Sequence, residues 1–528
     1  MGKLREWGRK PLSMRAFGLS MVFAAACGLF AFAWIMPYDS DMHFMIASGR
    51  EILANGIPYE NVWHMDPGYG IVVQQWLYDV VLALVDMMGS RGFAGLVLCE
   101  YALLAFLAWR LFRRSGASLG ISALFLAAAS LFFREYIFSV RPQAVTIILL
   151  LLTAMCLEKW AERDDWLWLL PLPFLTLLEI NLHGAMWPFH FCIVAAYLIP
   201  LPFPLPFPNG QDFREAKYAI CHLRDLGIAL LAMIGSLFLN PYGLDGIAYV
   251  FRSYTSGCFD VLYVGEMSSA YLFSTAGLCL LIGAGFVAIC SRLGTLRTGT
   301  VNMFLGFGLA TALSYRNYML LVLPFLFLFR DLYDGCKDRV AGIDFRKSLV
   351  RSTAPALLLL DVCAFLMAIG TIGSAGWVDV DSTTAPSFYD NVVAFLKSED
   401  AQEDRVFAAF EIGSLLEYHG FTNIYTDNRP EVYMSDINGV HDIAFDLSRY
   451  AHYGVTLSQK AIRSPSDYYP VSRDEMEAWL EHCDFDYICV NAWGDTFLQG
   501  YLIGSPGYEL VYNEPGVMAV YAERDRAE

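Results

Sequence analysis

The sequence predicts an α-helical polytopic membrane protein with a small α/β domain at its carboxy terminus. Hydrophobic residues make up 56% of the 528 residues and charged residues only 17%, whereas soluble domains carry about a quarter charged residues. Apolar stretches recur through the first 375 residues, as expected of membrane-spanning helices. From Gly376 onward, short alternating runs and helical stretches take their place, which is the pattern of a small α/β domain.

The apolar stretches predict about eleven transmembrane helices. The first, residues 17–36, follows the basic segment GKLREWGRKP and is longer than the apolar core of a cleaved signal, so it is typical of a signal anchor. The others lie near 93–112, 119–133, 143–157, 166–180, 185–203, 226–240, 271–290, 300–314, 317–329 and 353–374.

The distribution of basic residues predicts the orientation in the membrane. With the amino terminus inside, eleven spans give the inside segments 21 Lys and Arg residues and the outside loops 6. Cytoplasmic loops of membrane proteins carry such an excess. We therefore expect a multi-pass protein of the plasma (inner) membrane, with a cytoplasmic amino terminus and an extracytoplasmic carboxy-terminal domain.

The expected domains are 1–375, a multi-pass membrane domain with a long first outer loop at 37–92, and 376–528, the extracytoplasmic α/β domain. The loop contains two amphipathic stretches, MHFMIASGREILANG and VVQQWLYDVVLALVDMMG. The second is expected to lie along the membrane surface, because an extra span there would invert every later loop and the charge bias with it. Residues 376–528 carry a net charge of −18 and the rest +1, which argues against nucleic acid as a partner.

Polar residues cluster at the predicted outer boundary of the membrane, where they are costly and usually functional. They come from five separate loops, so the pattern indicates a shared site. They are Asp39 and Asp41, Arg134 and Arg141, Asn181 and His183, Asn240 and Tyr242, and Arg316.

Asp39 and Asp41 place two carboxylates where the first helix leaves the membrane. One carboxylate can act as a general base on an acceptor hydroxyl while the other orients it or binds a metal; the alternative is an acidic helix end without function. Arg141, which opens a helix, favours a phosphate, unless it only reaches back to the membrane interface. Arg316 allows the same two interpretations.

Two histidines also allow both a functional and a structural interpretation. His183, followed by Gly184 in EINLHGAMW, can donate to a phosphate or sugar, or can be a buried histidine with a structural hydrogen bond. His43 can share the site or cap a surface helix. The sequence contains no P-loop, zinc pattern, dinucleotide fingerprint or nucleophile elbow. A function that acts on soluble nucleotides or as a hydrolase therefore has no support.

In these residues and their motifs, the chain resembles bacterial members of the GT-C superfamily of integral-membrane glycosyltransferases. The segment DSDMHFMIASGREILANGIPYENVW is similar to that superfamily's acidic first-loop motif, and VVQQWLYDVVLALV to its second loop helix. In the tail, FAAFEIGSLLEYHG and IYTDNRPEVY resemble the outer domain of one thinly characterised branch. Later motifs follow in the same order: FSVRPQAVTIILL, EINLHGAMW, FLNPYGLDG, VGEMSSAYL and SYRNYMLLVLPFL.

The resemblance implies a GT-C-like fold and transfer of a hexosyl or pentosyl group from a polyprenyl-phosphate-linked donor. The acceptor would be a lipid, glycan or protein hydroxyl at the outer face of the lipid bilayer. Asp39 and Asp41 would be the catalytic carboxylates, and no metal or other cofactor is implied. Phe44, where the group has a Trp, and Gln75, where the branch often has an acid, depart from the pattern. The implied substrate-binding residues are His43, Arg141, Asn181, His183, Glu266 and Arg316.

Two other functions fit parts of the sequence. A transporter or flippase of a lipid-linked substrate would also need polar loops, but the sequence shows no inverted repeat or matched pair of broken helices. A non-catalytic envelope-assembly scaffold would use the acidic tail and would tolerate neutral residues at Asp39 and Asp41, whereas an enzyme would not.

Overall fold

The computed structural model describes residues 41–198, 223–258, 262, 269–270, 274–342, 389–408, 411–453, 470–491 and 494–524. Several predicted features lie outside these residues. They are the first span at 17–36, the last span at 353–374, and the candidate site residues Asp39 and Glu266.

Helices dominate the part of the chain before residue 343, and every predicted apolar stretch between 93 and 329 overlaps a helix. The stretch at 166–180 begins as a 3₁₀ turn, Trp166–Leu169, before Pro171 opens the helix proper. The helices are α1 (Asp41–Asn55), α2 (Trp76–Asp86), α3 (Ser90–Arg114), α4 (Leu119–Phe132), α5 (Arg134–Ile137), α6 (Gln143–Arg163), α7 (Pro171–Leu182), α8 (Pro188–Leu198), α9 (Leu223–Leu237), α10 (Leu244–Thr255), α11 (Thr275–Leu293), α12 (Thr298–Leu313) and α13 (Val322–Gly342). Two further 3₁₀ segments are Gly184–Met186 and Tyr315–Leu321.

Three helices among the described residues are long and apolar enough to cross a bilayer: Arg91–Arg114, Gln143–Arg163 and Thr275–Leu293. In α6, 78% of the apolar window is buried inside the protein, against 39% in α3 and 28% in α11, so α6 is the central helix of the bundle. The chain is a membrane protein, while the count of eleven spans and the orientation of its ends stay predictions. Shorter apolar helices are Leu119–Ser130, Trp166–Leu182, Gly184–Leu198 and Thr298–Leu313.

A buried ionic cluster joins α3, α6 and α13 at the end of the bundle that the charge bias predicts to be cytoplasmic. Arg330, almost fully buried, donates to Asp331 at 2.8 Å and to Glu158. Glu158 also accepts from Arg114 at 3.0 Å and from Arg297 at 2.6 Å. Buried charges are tolerated where each has a hydrogen-bonded partner, so this cluster fixes how the helices meet.

The tail contains a four-stranded sheet in the order β1-β2-β4-β3, in which β1 and β2 are parallel and the other pairs antiparallel. Its strands are β1 (Val406–Phe407), β2 (Tyr487–Asn491), β3 (Tyr508–Glu514) and β4 (Met518–Glu523). Its helices are α14 (Asp390–Ser398), α15 (Glu411–Tyr418), α16 (Ser435–Asn438), α17 (Ile443–Asp446), α18 (Arg473–Cys483) and α19 (Thr496–Leu502), with 3₁₀ turns Ala401–Glu403 and Pro430–Tyr433 and a π-helical segment Leu447–Tyr453.

The predicted strands FDYICV and MAVYAE correspond to β2 and β4, so the predicted small carboxy-terminal sheet is confirmed. The run RVFAAFEIG becomes a two-residue strand and then α15. TNIYTD forms single bridges in place of a strand, because the backbone of Ile424 is shared between His64 of the first loop and Val406 of β1.

The described part of the predicted first outer loop shares a hydrophobic core with the tail. Trp63, Tyr69 and Ile71 of the loop pack in one buried cluster with Phe407 and Trp479 of the tail. Backbone hydrogen bonds cross the same boundary, from Ile424 to the Trp63 carbonyl at 2.8 Å and from Gly70 to the Asn438 carbonyl at 2.9 Å. The division of the chain at residue 375 stays a prediction, but the loop and the tail pack as one layer.

Replacing Gly413 by alanine is expected to destabilise the tail. A Cβ at Gly413 in α15 would lie 1.8 Å from the Thr426 carbonyl oxygen, and overpacking of this kind costs about 1–3 kcal/mol or more. Thermal unfolding of the purified protein in detergent measures the change.

The matched control is Gly500→Ala in α19, where a Cβ would meet nothing within 4 Å. Because alanine is the better helix former by about 1 kcal/mol, this variant should unfold at the wild-type temperature or above. Equal melting temperatures for the two variants would contradict the close contact at Gly413.

Candidate functional site

The first loop is bound to the ends of the helices that carry the predicted site residues, the ends that the sequence predicts to lie at the outer boundary. Trp76 of α2 donates its indole N–H to Asn181 Oδ1 at 2.7 Å, and Asn181 donates to the Leu239 carbonyl at 3.3 Å. Gly184 donates its backbone N–H to the Gln74 carbonyl at 2.8 Å, which a Cβ at Gly184 would approach to 2.7 Å. Asn181 therefore connects the loop to α7 and α9.

The segment FLNPYGLDG contacts a second part of the first loop. Tyr242 donates its hydroxyl to the Pro58 carbonyl at 2.9 Å, and Tyr59 donates to the Pro241 carbonyl at 3.3 Å. Asn240 holds this turn by accepting from the Tyr242 backbone at 2.9 Å. Motifs far apart in the sequence thus meet around the first loop.

Asp41 lies where three segments of the chain meet. It is the first residue of α1, where the positive end of the helix dipole favours a carboxylate. Arg141, just before α6, forms an ion pair with Asp41 at 3.0 Å between Nη2 and Oδ2. Asn428 of the tail donates its amide to Asp41 Oδ1 at 3.2 Å. The carboxylate is held on both oxygens and stays partly exposed.

His183 lies between α7 and α8, outside either helix, and is 3% exposed. Burial, together with the nearby guanidinium groups of Arg316 and Arg141, lowers the pKa of His183 to about 3, so the ring is neutral at physiological pH. Among the described residues Nε2 of His183 has no hydrogen-bond partner, whereas Nδ1 is bonded to Thr146.

Arg316, in the 3₁₀ segment after α12, is half-buried. Within the described part of the chain it forms no ion pair or hydrogen bond, and its charge acts on His183. A partly desolvated guanidinium of this kind is suited to an anionic ligand such as a phosphate.

A buried arginine that the sequence analysis missed anchors the tail beside Asp41. Arg429 donates to Asp427 at 3.0 Å and to Glu417 at 2.8 Å, and its guanidinium lies over the rings of Phe44 at 4.9 Å and Trp63 at 5.3 Å. The neighbouring residue, Asn428, is the one that binds Asp41.

The charges in this anchor balance. Burial alone would raise the pKa of Asp427, but Arg429 and the hydrogen bonds from its neighbours lower it to about 2, so Asp427 is ionised. Burial raises the pKa of Glu417 well above its usual range, so that carboxyl is neutral. The cluster therefore holds one positive and one negative charge, which a buried site tolerates best. The motif IYTDNRPEVY contains both charged residues, but nothing in its spacing shows that they contact α1.

The structure thus brings together Asp41, Arg141, His183 and Arg316, while Asn181 serves as a connector. His43 is buried, with its ring edge-on to Tyr418 at 5.4 Å between centroids, so it packs between α1 and α15. Within the described residues no group of three or more His, Cys, Asp and Glu side chains is arranged to hold a metal ion.

No protein-family model and no curated protein matches the chain. Among solved structures, the chain is similar to the archaeal oligosaccharyltransferase AglB from Archaeoglobus fulgidus in complex with an inhibitory peptide and a dolichol-phosphate. The two share 12% sequence identity, with a TM-score of 0.47, over 96% of this chain and 74% of that chain. The residues of this chain, and not that similarity, carry the functional proposal.

Replacing Arg429 by methionine is expected to destabilise the fold by about 3–5 kcal/mol, because the ionised Asp427 would be left buried without its partner. Methionine keeps the apolar stem that packs on Phe44 and Trp63. Denaturant or thermal unfolding in detergent measures the loss.

Arg473→Met is the matched control, since Arg473 is exposed and forms an ion pair with Glu477 on its own helix. That variant should unfold like wild type. If Arg429→Met also unfolds like wild type, the buried pair does not anchor the tail.

Proposed function

We propose that the chain is a membrane glycosyltransferase that moves a sugar from a polyprenyl-phosphate donor to a hydroxyl of an envelope lipid, glycan or protein. The observation that carries the proposal is the grouping of Asp41 and Arg141 with His183 and Arg316. A carboxylate, a neutral imidazole and two guanidinium groups from separate segments converge at helix ends that the sequence places at the outer membrane boundary. These are the groups that acceptor activation and phosphate departure require.

Arg316 and Arg141 are proposed to bind the phosphate of the donor. A polyprenyl phosphate keeps its charged group at the membrane boundary, where the helix ends lie. As the bond to the sugar breaks, negative charge grows on the phosphate, and fixed guanidinium groups stabilise it there. Arg316 has no other described partner, so it can bind the donor without breaking an ion pair.

Asp41 is proposed to bind the acceptor hydroxyl, with Asp39 two residues earlier as the second carboxylate of the motif. Arg141 and Asn428 fix the direction of the Asp41 carboxylate. Holding the acceptor oxygen in line with the anomeric carbon removes much of the entropic cost of the reaction. Because Asn428 comes from the tail, the tail contributes to the acceptor side of the site.

Replacing Asp41 by asparagine is expected to lower sugar transfer by about 10²-fold or more at nearly unchanged side-chain volume, because the carboxylate that orients the acceptor hydroxyl is lost. The gene is deleted and complemented with wild type or Asp41→Asn at matched membrane levels, and envelope glycans are compared by mass spectrometry.

The control is Asp474→Asn, an exposed aspartate of α18 that should restore the glycan fully. A deletion that alters no glycan would refute the glycosyltransferase proposal. A glycan restored by Asp41→Asn would show that this carboxylate is not catalytic, and the transporter or scaffold function would then fit better.

Replacing Arg316 by glutamine is expected to weaken binding of a polyprenyl phosphate by about tenfold or more, since a hydrogen bond to a charged group is worth about 1.5–3 kcal/mol. Titration of the purified protein in nanodiscs with undecaprenyl phosphate measures the affinity.

Arg252→Gln is the control, because Arg252 is an exposed residue of α10 paired with Asp245. It should bind the lipid like wild type. Equal affinities for the two variants would place the donor phosphate elsewhere.

A further inference from the structure

A chain of hydrogen-bonded side chains runs from His183 into the helix bundle. His183 Nδ1 lies 2.8 Å from Thr146 Oγ1, and Thr146 donates to Glu179 Oε1 at 2.6 Å. Beyond it, Glu179 Oε2 lies 3.2 Å from His190 Nε2, and His190 Nδ1 lies 2.8 Å from Thr153 Oγ1. All five side chains are buried, and the chain extends about 10 Å along α6 from Thr146 to Thr153.

The number of hydrogens fixes the direction of these bonds. Thr146 has one hydroxyl hydrogen, which it gives to the Glu179 carboxylate, so the bond between Thr146 and His183 must use the Nδ1–H of the imidazole. At the other end, His190 donates its Nε2–H to Glu179 Oε2, and in the neutral ring Nδ1 accepts from Thr153 Oγ1. With the Glu179 carboxylate as the acceptor from both sides, the directions of the bonds are consistent with one another.

This arrangement leaves a lone pair on Nε2 of His183. That nitrogen has no hydrogen-bond partner among the described residues, and it belongs to the ring on which Arg141 and Arg316 act. Nε2 can therefore accept a hydrogen from a bound hydroxyl. If His183 took up this hydrogen and kept its Nδ1–H, the ring would become an imidazolium. Repulsion from the two nearby guanidinium groups opposes that charge.

We propose that His183, Thr146 and Glu179 form a proton relay that removes the proton of the acceptor hydroxyl and stores it on Glu179. The relay deepens the proposed function and rests on it. Asp41 orients the acceptor, His183 is the catalytic base, and Thr146 and Glu179 are positioning residues that carry the proton onward.

The step balances. The acceptor O–H bond breaks and an Nε2–H bond forms on His183, while the Nδ1–H passes to Thr146 Oγ1 and the hydroxyl hydrogen of Thr146 passes to Glu179 Oε1. The acceptor oxygen forms its bond to the anomeric carbon, and the electron pair of the broken bond leaves with the lipid phosphate. His183 ends neutral with its hydrogen on Nε2, so no cation forms beside the arginines.

The first test reads the imidazole directly. Solid-state ¹⁵N NMR of histidine-labelled protein in lipid distinguishes the two neutral tautomers, and the His183→Asn spectrum identifies the His183 signals among those of nine histidines. The relay predicts the Nδ1–H tautomer in wild type and a shift towards Nε2–H in Thr146→Val, which cannot accept the bond. An Nε2–H tautomer in wild type, or no shift in Thr146→Val, overturns the relay whatever the activity.

The second test uses the complementation strain. Thr146→Val should lower the restored glycan at least tenfold at matched membrane levels, whereas Thr146→Ser, which keeps the hydroxyl, should restore it. Thr176→Val is the matched control, since Thr176 is a buried threonine on α7 that donates to the Leu172 carbonyl of its own helix. Melting temperatures of the purified variants separate a broken relay from a misfolded protein.

The outcomes separate the two proposals. If Asp41→Asn fails to restore the glycan while a folded Thr146→Val restores it, the glycosyltransferase stands and the relay is wrong. If deletion changes no glycan, both are refuted. Loss of the glycan in Thr146→Val, with Thr146→Ser and Thr176→Val active and all variants folded, supports both.

Discussion

The buried guanidinium of Arg429 is the contact on which the candidate site depends. The guanidinium neutralises Asp427 and lies over the rings of Phe44 and Trp63, and these contacts fix the tail on α1. Because Asn428 is the adjacent residue, the same contact sets the amide that binds Asp41. Since an unpaired buried charge is costly, this contact favours one arrangement of the tail on the first loop, and the proposed acceptor side of the site depends on it.

The two sides of the site differ in burial, and this difference underlies the roles proposed for them. Asp41 is partly exposed and paired with Arg141, which suits a group that binds and orients. His183 is buried next to positive charge and bonded through Thr146 to a buried carboxylate. A buried neutral base that can pass its proton on avoids the cost of creating a new charge in a medium of low polarity.

Local pattern predicted the helices well. The apolar stretches between 93 and 329 are helical, and β2 and β4 fall on predicted runs, because hydrophobic length and period are properties of neighbouring residues. The exceptions are caused by contacts between segments that lie apart in the sequence. Around Ile424 the backbone pairs with the first loop on one side and with Val406 of β1 on the other, which no period within TNIYTD can show. The packing of α15 needs Gly413 against the Thr426 carbonyl.

The sequence by itself determined the membrane class, the helical architecture, the acidic tail domain, and the candidate residues Asp41, Arg141, His183 and Arg316, since composition, charge bias and motif order are all linear properties. Only the tertiary structure decided that Asp41 pairs with Arg141 and Asn428, that Arg429 anchors the tail, and that Thr146 and Glu179 stand behind His183. Thr146 and Glu179 look like ordinary residues of apolar helices when read in order. Their role arises because α6 and α7 pack side by side in a medium that forces buried polar groups to find each other.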